Sequence, residues 1–116
     1  MKHLIDTQGF TRESITRLFD LATSLEGARD ESLRGKILAT MFFEPSTRTR
    51  LSFESAMYRL GGHVISMESA SASSSATKGE TIEDTIRIVD DYADAIVMRH
   101  PEAGAAAKAA NVSGVP

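Results

Sequence analysis

The stretch ILATMFFEPSTRTR, residues 37–50, decides the fold. Its first half, from Ile37 to Phe43, is a short and nearly continuous apolar run, typical of a strand that is covered on both faces of a sheet. Its second half opens with Glu44 and Pro45, which break the apolar pattern, and continues with serine, threonine and arginine. The residues that follow have helical spacing, so the stretch predicts a buried strand, a polar turn and the start of a helix.

The same alternation runs along the rest of the chain. Apolar spacing predicts helices over residues 11–25, 53–60, 82–93 and 101–110, with Thr11 and Thr81 as N-caps and Pro101 and Glu102 in the last helix's first turn. Apolar runs predict strands over residues 36–43, 63–67 and 95–98. Short strands that alternate with amphipathic helices predict an α/β domain: a parallel sheet, right-handed crossovers and helices on both faces. Because residues 111–116 lead toward another strand, we expect the sheet to be incomplete within this sequence.

Composition narrows the class of protein. The 116 residues are 41% hydrophobic and 25% charged, which fits a single soluble domain. The net charge of −3 provides no basic excess for binding nucleic acid. With no cysteine, disulfides, thiolate catalysis and cysteine metal sites are excluded. No apolar stretch is long enough for a signal peptide or a membrane helix, so we expect a cytoplasmic protein without membrane association.

Three strand ends are the places to look for a ligand, because open α/β sheets bind ligands beyond the carboxyl ends of their strands. After the first strand, residues 46–50 place hydroxyls and guanidiniums at a helix N-terminus, where free N–H groups and the helix dipole favour an anion. Arg48 could hold a phosphate bidentately. The alternative is a capped helix start with surface arginines. Neither a Walker P-loop nor a dinucleotide motif follows.

The other two strand ends carry weaker signals. Residues 73–80, a loop of hydroxyls with one lysine, either close over an anionic ligand or form a solvated linker. Arg99 directly follows the third strand, from which it can point into the cleft. His100 is either an acid or base or a structural or surface residue, and a lone histidine favours the second interpretation. The sequence shows no paired catalytic carboxylates, no Ser–His–Asp order and no metal-ligand cluster.

Three segments together resemble the carbamoyltransferase family. They are FFEPSTRTRLSFE at residues 42–54, KGET at residues 78–81 and DAIVMRHP at residues 94–101, in the order in which the family carries them. The resemblance covers essentially the whole chain. The FFEP lead-in, Lys78 and the RHP triplet resemble the aspartate branch of the family rather than the ornithine branch.

The resemblance implies a site and a reaction. Ser46, Thr47, Arg48 and Thr49 would bind the phosphate of carbamoyl phosphate, and Arg99 would contact both the phosphate and the carbamoyl oxygen, where Thr49 would help. Arg48, Thr49 and Arg99 are therefore the implied catalytic residues. The α-amine of L-aspartate would attack the carbamoyl carbon and phosphate would leave, with no metal and no cofactor. Positioning and charge stabilisation would supply the catalysis.

Two loop residues imply an assembly. Ser74 and Lys78 match residues that the family inserts into the active site of a neighbouring subunit, which implies a homotrimer with shared sites. Ser73 or Ser75 are alternatives to Ser74, and Thr77 stands where some relatives carry a second lysine. Association with regulatory chains or with other enzyme chains stays open.

The sequence also departs from the family. A later His-Pro-Thr-Gln segment and the aspartate-binding domain are both missing from it. We therefore expect residues 1–116 to be an incomplete carbamoyl-phosphate-binding domain that is inactive alone. Two other interpretations remain: a non-catalytic half-domain for anion binding or assembly, and a carbamoyltransferase with another acceptor such as ornithine.

Overall fold

The computed structural model describes residues 2–68 and 79–116. These residues form helices and strands in alternation after a first helix. The elements are α1 (Arg12–Ser24), β1 (Ile37–Phe42), α2 (Thr47–Arg59), β2 (His63–Glu68), α3 (Ile82–Asp90), β3 (Ala95–Arg99) and α4 (Ala105–Val112).

The three strands form one parallel sheet in the order β2-β1-β3. In the central strand β1, Thr40 lies opposite Ser66 of β2 and Val97 of β3. Phe42, at the end of β1, lies opposite Arg99 at the end of β3. The strands therefore end at the same edge of the sheet, and the prediction of a parallel α/β sheet is confirmed.

Helices cover both faces of the sheet because successive side chains of a strand point to opposite sides. Met41 of β1 packs in the core against Ile86 of α3 and Ala109 of α4. Its neighbour Thr40 points the other way and donates a hydrogen bond to Glu54 of α2. Residues 38–42 of β1 are all buried, so the apolar run of the sequence is the centre of the core.

Both predicted N-caps are confirmed. The hydroxyl of Thr11 accepts a hydrogen bond from the Ser14 amide, and that of Thr81 accepts one from the Asp84 amide, each at 3.2 Å. In α1, the hydroxyl of Ser14 also accepts a hydrogen bond from the Thr11 amide at 2.9 Å. These bonds satisfy donors that the first turn of a helix leaves without partners.

The predicted start of the fourth helix is wrong. Residues 101–104 form a separate turn, and α4 begins only at Ala105. The reason is Gly104, whose φ of +83° lies in the left-handed region that a helix cannot include and that glycine accommodates without a Cβ clash. Pro101 and Glu102, which were predicted in the helix's first turn, therefore precede it.

The ends of other elements differ by a few residues. Helix α2 begins at Thr47, six residues before the apolar spacing predicted over residues 53–60. Helix α3 ends at Asp90 rather than at residue 93, and β3 includes Arg99. The apolar stripe predicted for α1 is present, but no residue of α1 is buried within the described structure. Phe19 in that stripe is 68% exposed. Within residues 2–68 and 79–116, no helix has the length and the apolar character needed to cross a bilayer.

Asp94, just before β3, ties the starts of two strands together. Its carboxylate accepts hydrogen bonds from the Lys36 ammonium and the Ile37 amide, both at 2.9 Å. Its own amide donates to the Ile37 carbonyl at 2.8 Å. The hydrogen bond from Lys36, followed by that from the Ile37 amide, holds the pKa of Asp94 below its ordinary value of 3.8.

We predict that Asp94→Asn lowers the melting temperature near neutral pH. A depressed carboxyl pKa contributes stability above the unfolded value of 3.8, and that contribution is lost as the pH falls through the lower pKa of the folded state. The gap between wild type and variant should therefore shrink in acid. Thermal unfolding at about pH 7 and about pH 3 measures it. Asp20→Asn, on the exposed side of α1, is the control, and an equal gap at both pH values contradicts the assignment.

Candidate anion-binding site

The site begins where β1 and β3 end. The Phe43 amide donates a hydrogen bond to the Arg99 carbonyl at 2.9 Å, which continues the ladder one residue beyond β1. Glu44 and Arg99 therefore leave the sheet side by side. Because β2 and β3 lie on opposite sides of β1, the crevice between β1 and β3 is the topological switch point of the sheet. Ligands of open α/β sheets bind at such points.

Arg99 connects the two strand ends. Its Nε donates to Glu44 Oε1 at 2.6 Å, and its Nη1 donates to Ser46 Oγ at 2.8 Å. The Arg99 side chain is 48% exposed and that of Glu44 is 33% exposed, so solvent and small ligands reach both. The guanidinium thus lies in the crevice, held between a carboxylate and a hydroxyl.

The start of α2 presents free backbone donors to the same crevice. The first hydrogen bond of this helix runs from the Arg50 amide to the Ser46 carbonyl at 3.0 Å. The amides of residues 47–49 precede it and lack a carbonyl partner within the helix. Ser46 is the N-cap, but among the described residues its side chain makes no capping bond. Unlike α1 and α3, whose threonines cap them, α2 has its serine hydroxyl engaged by Arg99.

The remaining predicted residues of the run lie in the first turn of α2. Thr47 and Arg48 are exposed, and Thr49 is half-buried. Thr49 and Arg99 both line a cavity of about 540 Å³, whose other walls come mainly from β3, α4 and residues 2–5. The structure therefore brings Ser46, Thr49 and Arg99 to one place, and Arg48 precedes Thr49 in the same helical turn with its side chain exposed.

Two predicted site residues lie outside the described residues. Ser74 and Lys78 belong to residues 69–78, about which the structure gives no placement. Their assignment to a shared site remains a prediction.

His100 is part of the scaffold around the crevice. Its Nδ1 accepts a hydrogen bond from the Glu102 amide at 3.0 Å, and its ring centroid lies 4.8 Å from that of Phe43. One ring nitrogen is thus engaged by backbone and the ring packs on an aromatic neighbour. Both contacts support the structural interpretation of this histidine.

Sequence reasoning missed Glu44 as a partner of Arg99. The signal was present, since each residue follows the end of a buried strand, but the pairing depends on β3 lying next to β1. That order is a property of the sheet and is not visible in the spacing of residues along the chain. Among the described residues, no group of three or more histidine, aspartate or glutamate side chains could hold a metal ion.

Together these groups suit a phosphate-like anion. The guanidinium of Arg99, the hydroxyl of Ser46 and the backbone amides of residues 47–49 lie at one helix start, where the helix dipole adds positive potential. The exposed Arg48 and the half-buried Thr49 belong to the first turn of the same helix. A guanidinium donates two parallel hydrogen bonds to phosphate, and this gives orientation as well as affinity.

Comparisons with known proteins show the family to which the chain belongs. Residues 2–116 match the family model described as the carbamoyl-P binding domain of aspartate/ornithine carbamoyltransferase. An aspartate carbamoyltransferase catalytic subunit of Methanocella arvoryzae is 58% identical over an alignment that covers 99% of this chain and 38% of the relative.

Solved structures show the same fold. The catalytic subunit of M. jannaschii aspartate transcarbamoylase is 52% identical, with a TM-score of 0.92, over 100% of this chain and 39% of that one. Aspartate transcarbamoylase from Trypanosoma cruzi, solved in complex with carbamoyl aspartate and phosphate, is 40% identical, with a TM-score of 0.89, over 99% of this chain and 38% of that one. The chain thus spans about two fifths of the length of these relatives. With a family model that matches nearly every residue, the chain belongs to the aspartate/ornithine carbamoyltransferase family, within its carbamoyl-phosphate-binding domain.

Proposed function

We propose that the protein carrying these residues transfers the carbamoyl group of carbamoyl phosphate to the α-amine of L-aspartate. The products are N-carbamoyl-L-aspartate and phosphate, in the de novo route to pyrimidines. The observation that carries the proposal is the position of Arg99 in the crevice between β1 and β3. There it donates a hydrogen bond to Ser46, beside the start of α2, which has no side-chain capping bond.

Binding begins with an exchange of partners at Arg99. In the structure its Nε donates a hydrogen bond to the Glu44 carboxylate at 2.6 Å. A phosphate dianion that enters the crevice competes with Glu44 for this guanidinium and offers it two oxygens instead of one. The phosphate then also accepts hydrogen bonds from the backbone amides of residues 47–49 and from the guanidinium of Arg48. Glu44 thus keeps Arg99 oriented until the substrate replaces it.

Catalysis follows from placing hydrogen-bond donors and positive charges where negative charge develops on the substrate. Attack of the amine on the carbamoyl carbon creates a tetrahedral species with negative charge on the former carbonyl oxygen, which Arg99 and the Thr49 hydroxyl stabilise. As the bond to phosphate breaks, charge grows on the leaving group, which Arg48 and the start of α2 stabilise. No side chain forms a covalent bond to the substrate in this scheme.

We assign residues 1–116 to the carbamoyl-phosphate half of the site, as an incomplete domain. The aspartate-binding domain lies outside these residues. The coverage of about two fifths of the relatives supports this division. The aspartate acceptor is supported by the names of the relatives that are 52% and 58% identical, whereas the family model alone also includes ornithine carbamoyltransferases.

The first test is the reaction itself. We expect the natural gene product to form carbamoyl aspartate from carbamoyl phosphate and L-aspartate, and to leave L-ornithine unmodified, as measured by mass spectrometry of the products. Residues 1–116 expressed alone should form neither product, because the acceptor has no site there. Carbamoylation of ornithine in place of aspartate contradicts the assigned acceptor, and absence of both products contradicts the assigned reaction.

The second test removes the guanidiniums. We expect Arg48→Gln and Arg99→Gln each to lower kcat/KM for carbamoyl phosphate by about 10²- to 10³-fold, because each loses a charged donor to the developing charge. The control is Arg87→Gln, since Arg87 is an exposed arginine of α3 that pairs with Asp84 at 2.9 Å. Steady-state kinetics of the three variants measure the effect. Equal activities in the two site variants and the control are the contrary result.

We further propose a cytoplasmic homotrimer in which Ser74 and Lys78 reach a neighbouring subunit's site. The location is supported by the cysteine-free composition, which suits a reducing compartment. The trimer is supported by the resemblance of KGET at residues 78–81 to the corresponding family segment.

Mixing two inactive variants tests the shared site. Lys78→Ala and Arg48→Gln should each be nearly inactive as pure proteins. If one subunit supplies Lys78 and its neighbour supplies Arg48, reassembled mixtures contain some sites with both native residues and regain part of the activity. Mixed assemblies that form, as shown by native mass spectrometry, but stay inactive contradict the shared site.

A further inference from the structure

Glu54 lies in a polar cluster between α2 and the sheet. Its Oε1 accepts hydrogen bonds from the hydroxyls of Thr40 at 2.7 Å and Ser66 at 2.8 Å. The same oxygen lies 3.6 Å from Nε of Arg50, one helical turn earlier. Thr40 is fully buried, and the side chains of Glu54 and Arg50 are only 17% and 25% exposed. A carboxylate that accepts hydrogen bonds from two hydroxyls is a strong contact in such a partly buried place, and the nearby guanidinium adds the attraction of an opposite charge.

The cluster replaces apolar packing in the first half of α2. The one buried residue of this fully described helix is Met57, near its carboxyl end. In the first half, Leu51 is 53% exposed and Phe53 is 45% exposed. Apolar burial through Met57 is therefore confined to the second half of α2, whereas the Glu54 cluster ties the part that leads back to the anion site to the sheet.

Glu54 contacts two strands at once. Thr40 of β1 and Ser66 of β2 are direct partners in the register of the sheet, and one carboxylate oxygen accepts from both. Two donors on neighbouring strands fix the helix across the sheet as well as along it. Because a helix is a stiff element, a fixed position at residue 54 determines where the amides of residues 47–49 lie relative to Arg99 at the end of β3.

We propose that Glu54 is a positioning residue of the anion site. It does not touch the ligand; it acts through the start of α2, by holding Arg48, Thr49 and the free amides at the distance from Arg99 that a phosphate group bridges. The proposal rests on the proposed function, since it deepens the role of the same site. Arg50 lies beside this cluster, 3.6 Å from Glu54, so the two arginines of the run have different proposed tasks: the exposed Arg48 is assigned to the ligand and Arg50 to the support.

The test uses the natural gene product with two changes at residue 54. Glu54→Leu removes both the charge and the acceptor, whereas Glu54→Gln keeps an oxygen for Thr40 and Ser66. Because misplacement by about 1 Å is costly to a positioned site, we expect Glu54→Leu to raise the dissociation constant of inorganic phosphate and KM for carbamoyl phosphate by about 10-fold or more. For both constants, Glu54→Gln should give values between those of Glu54→Leu and wild type. KM for aspartate should stay within about twofold of the wild-type value in both variants.

A matched control is available on α1. Glu13 pairs with Arg17 at the same helical spacing as Glu54 with Arg50, at 2.6 Å, but is 74% exposed. Glu13→Leu should leave both phosphate constants unchanged. A merely stabilising role of Glu54 predicts a lower melting temperature with unchanged constants in the folded enzyme, and that result overturns the proposal.

Milder variants cover the case in which Glu54→Leu does not fold. Ser66→Ala and Thr40→Val each remove one hydroxyl donor, and we expect each to raise the phosphate dissociation constant by about threefold. Unchanged phosphate affinity in both variants overturns the proposal. Calorimetry of phosphate binding separates this outcome from failure of the proposed function. If the wild type binds phosphate but carbamoylates neither acceptor, the proposed function is contradicted. The phosphate affinities of wild type and variants then still test the role of Glu54.

Discussion

The site depends on one hydrogen bond, from the Phe43 amide to the Arg99 carbonyl at 2.9 Å. Among the described residues it is the last backbone–backbone hydrogen bond between the segments that leave β1 and β3, and it sets which side chains meet beyond the sheet. With the two strand ends in register, Glu44 and Ser46 on one segment reach the guanidinium of Arg99 on the other. The ring of His100 against Phe43 supports the same junction from its side. A site made of distant residues thus follows from local strand pairing.

The chain as a whole is acidic, with a net charge of −3, so an anion site must concentrate positive charge locally. The structure does this while keeping that charge compensated before a ligand arrives. Arg99 bonds Glu44, and Arg50 lies 3.6 Å from Glu54. Within the described residues Arg48 makes no ion pair, and its side chain is exposed. In the proposed function, an entering phosphate would bind this available guanidinium and displace a carboxylate from Arg99, which would limit the cost of burying charge.

The strands and the start of α2 could be predicted from the sequence, because the run from Ile37 to Phe43 is apolar throughout and a turn of Glu44 and Pro45 ends it. The start of α4 could not, because Gly104 adopts a left-handed conformation after residues that favour a first turn. Ser46 and Arg99 were each predicted, but their contact depends on the order β2-β1-β3, which residue spacing does not encode. Glu54 shows a pairing that spacing does encode, since it lies one turn after Arg50.

The central claim is that the start of α2 and Arg99 together hold the phosphate group of the substrate. A crystal structure of the natural gene product soaked with carbamoyl phosphate tests it most directly. We predict the phosphate within hydrogen-bond distance of the amides of residues 47–49, with the Arg99 guanidinium bonded to it and no longer to Glu44. A phosphate bound elsewhere, or one bound at α2 while Arg99 stays on Glu44, would contradict the account.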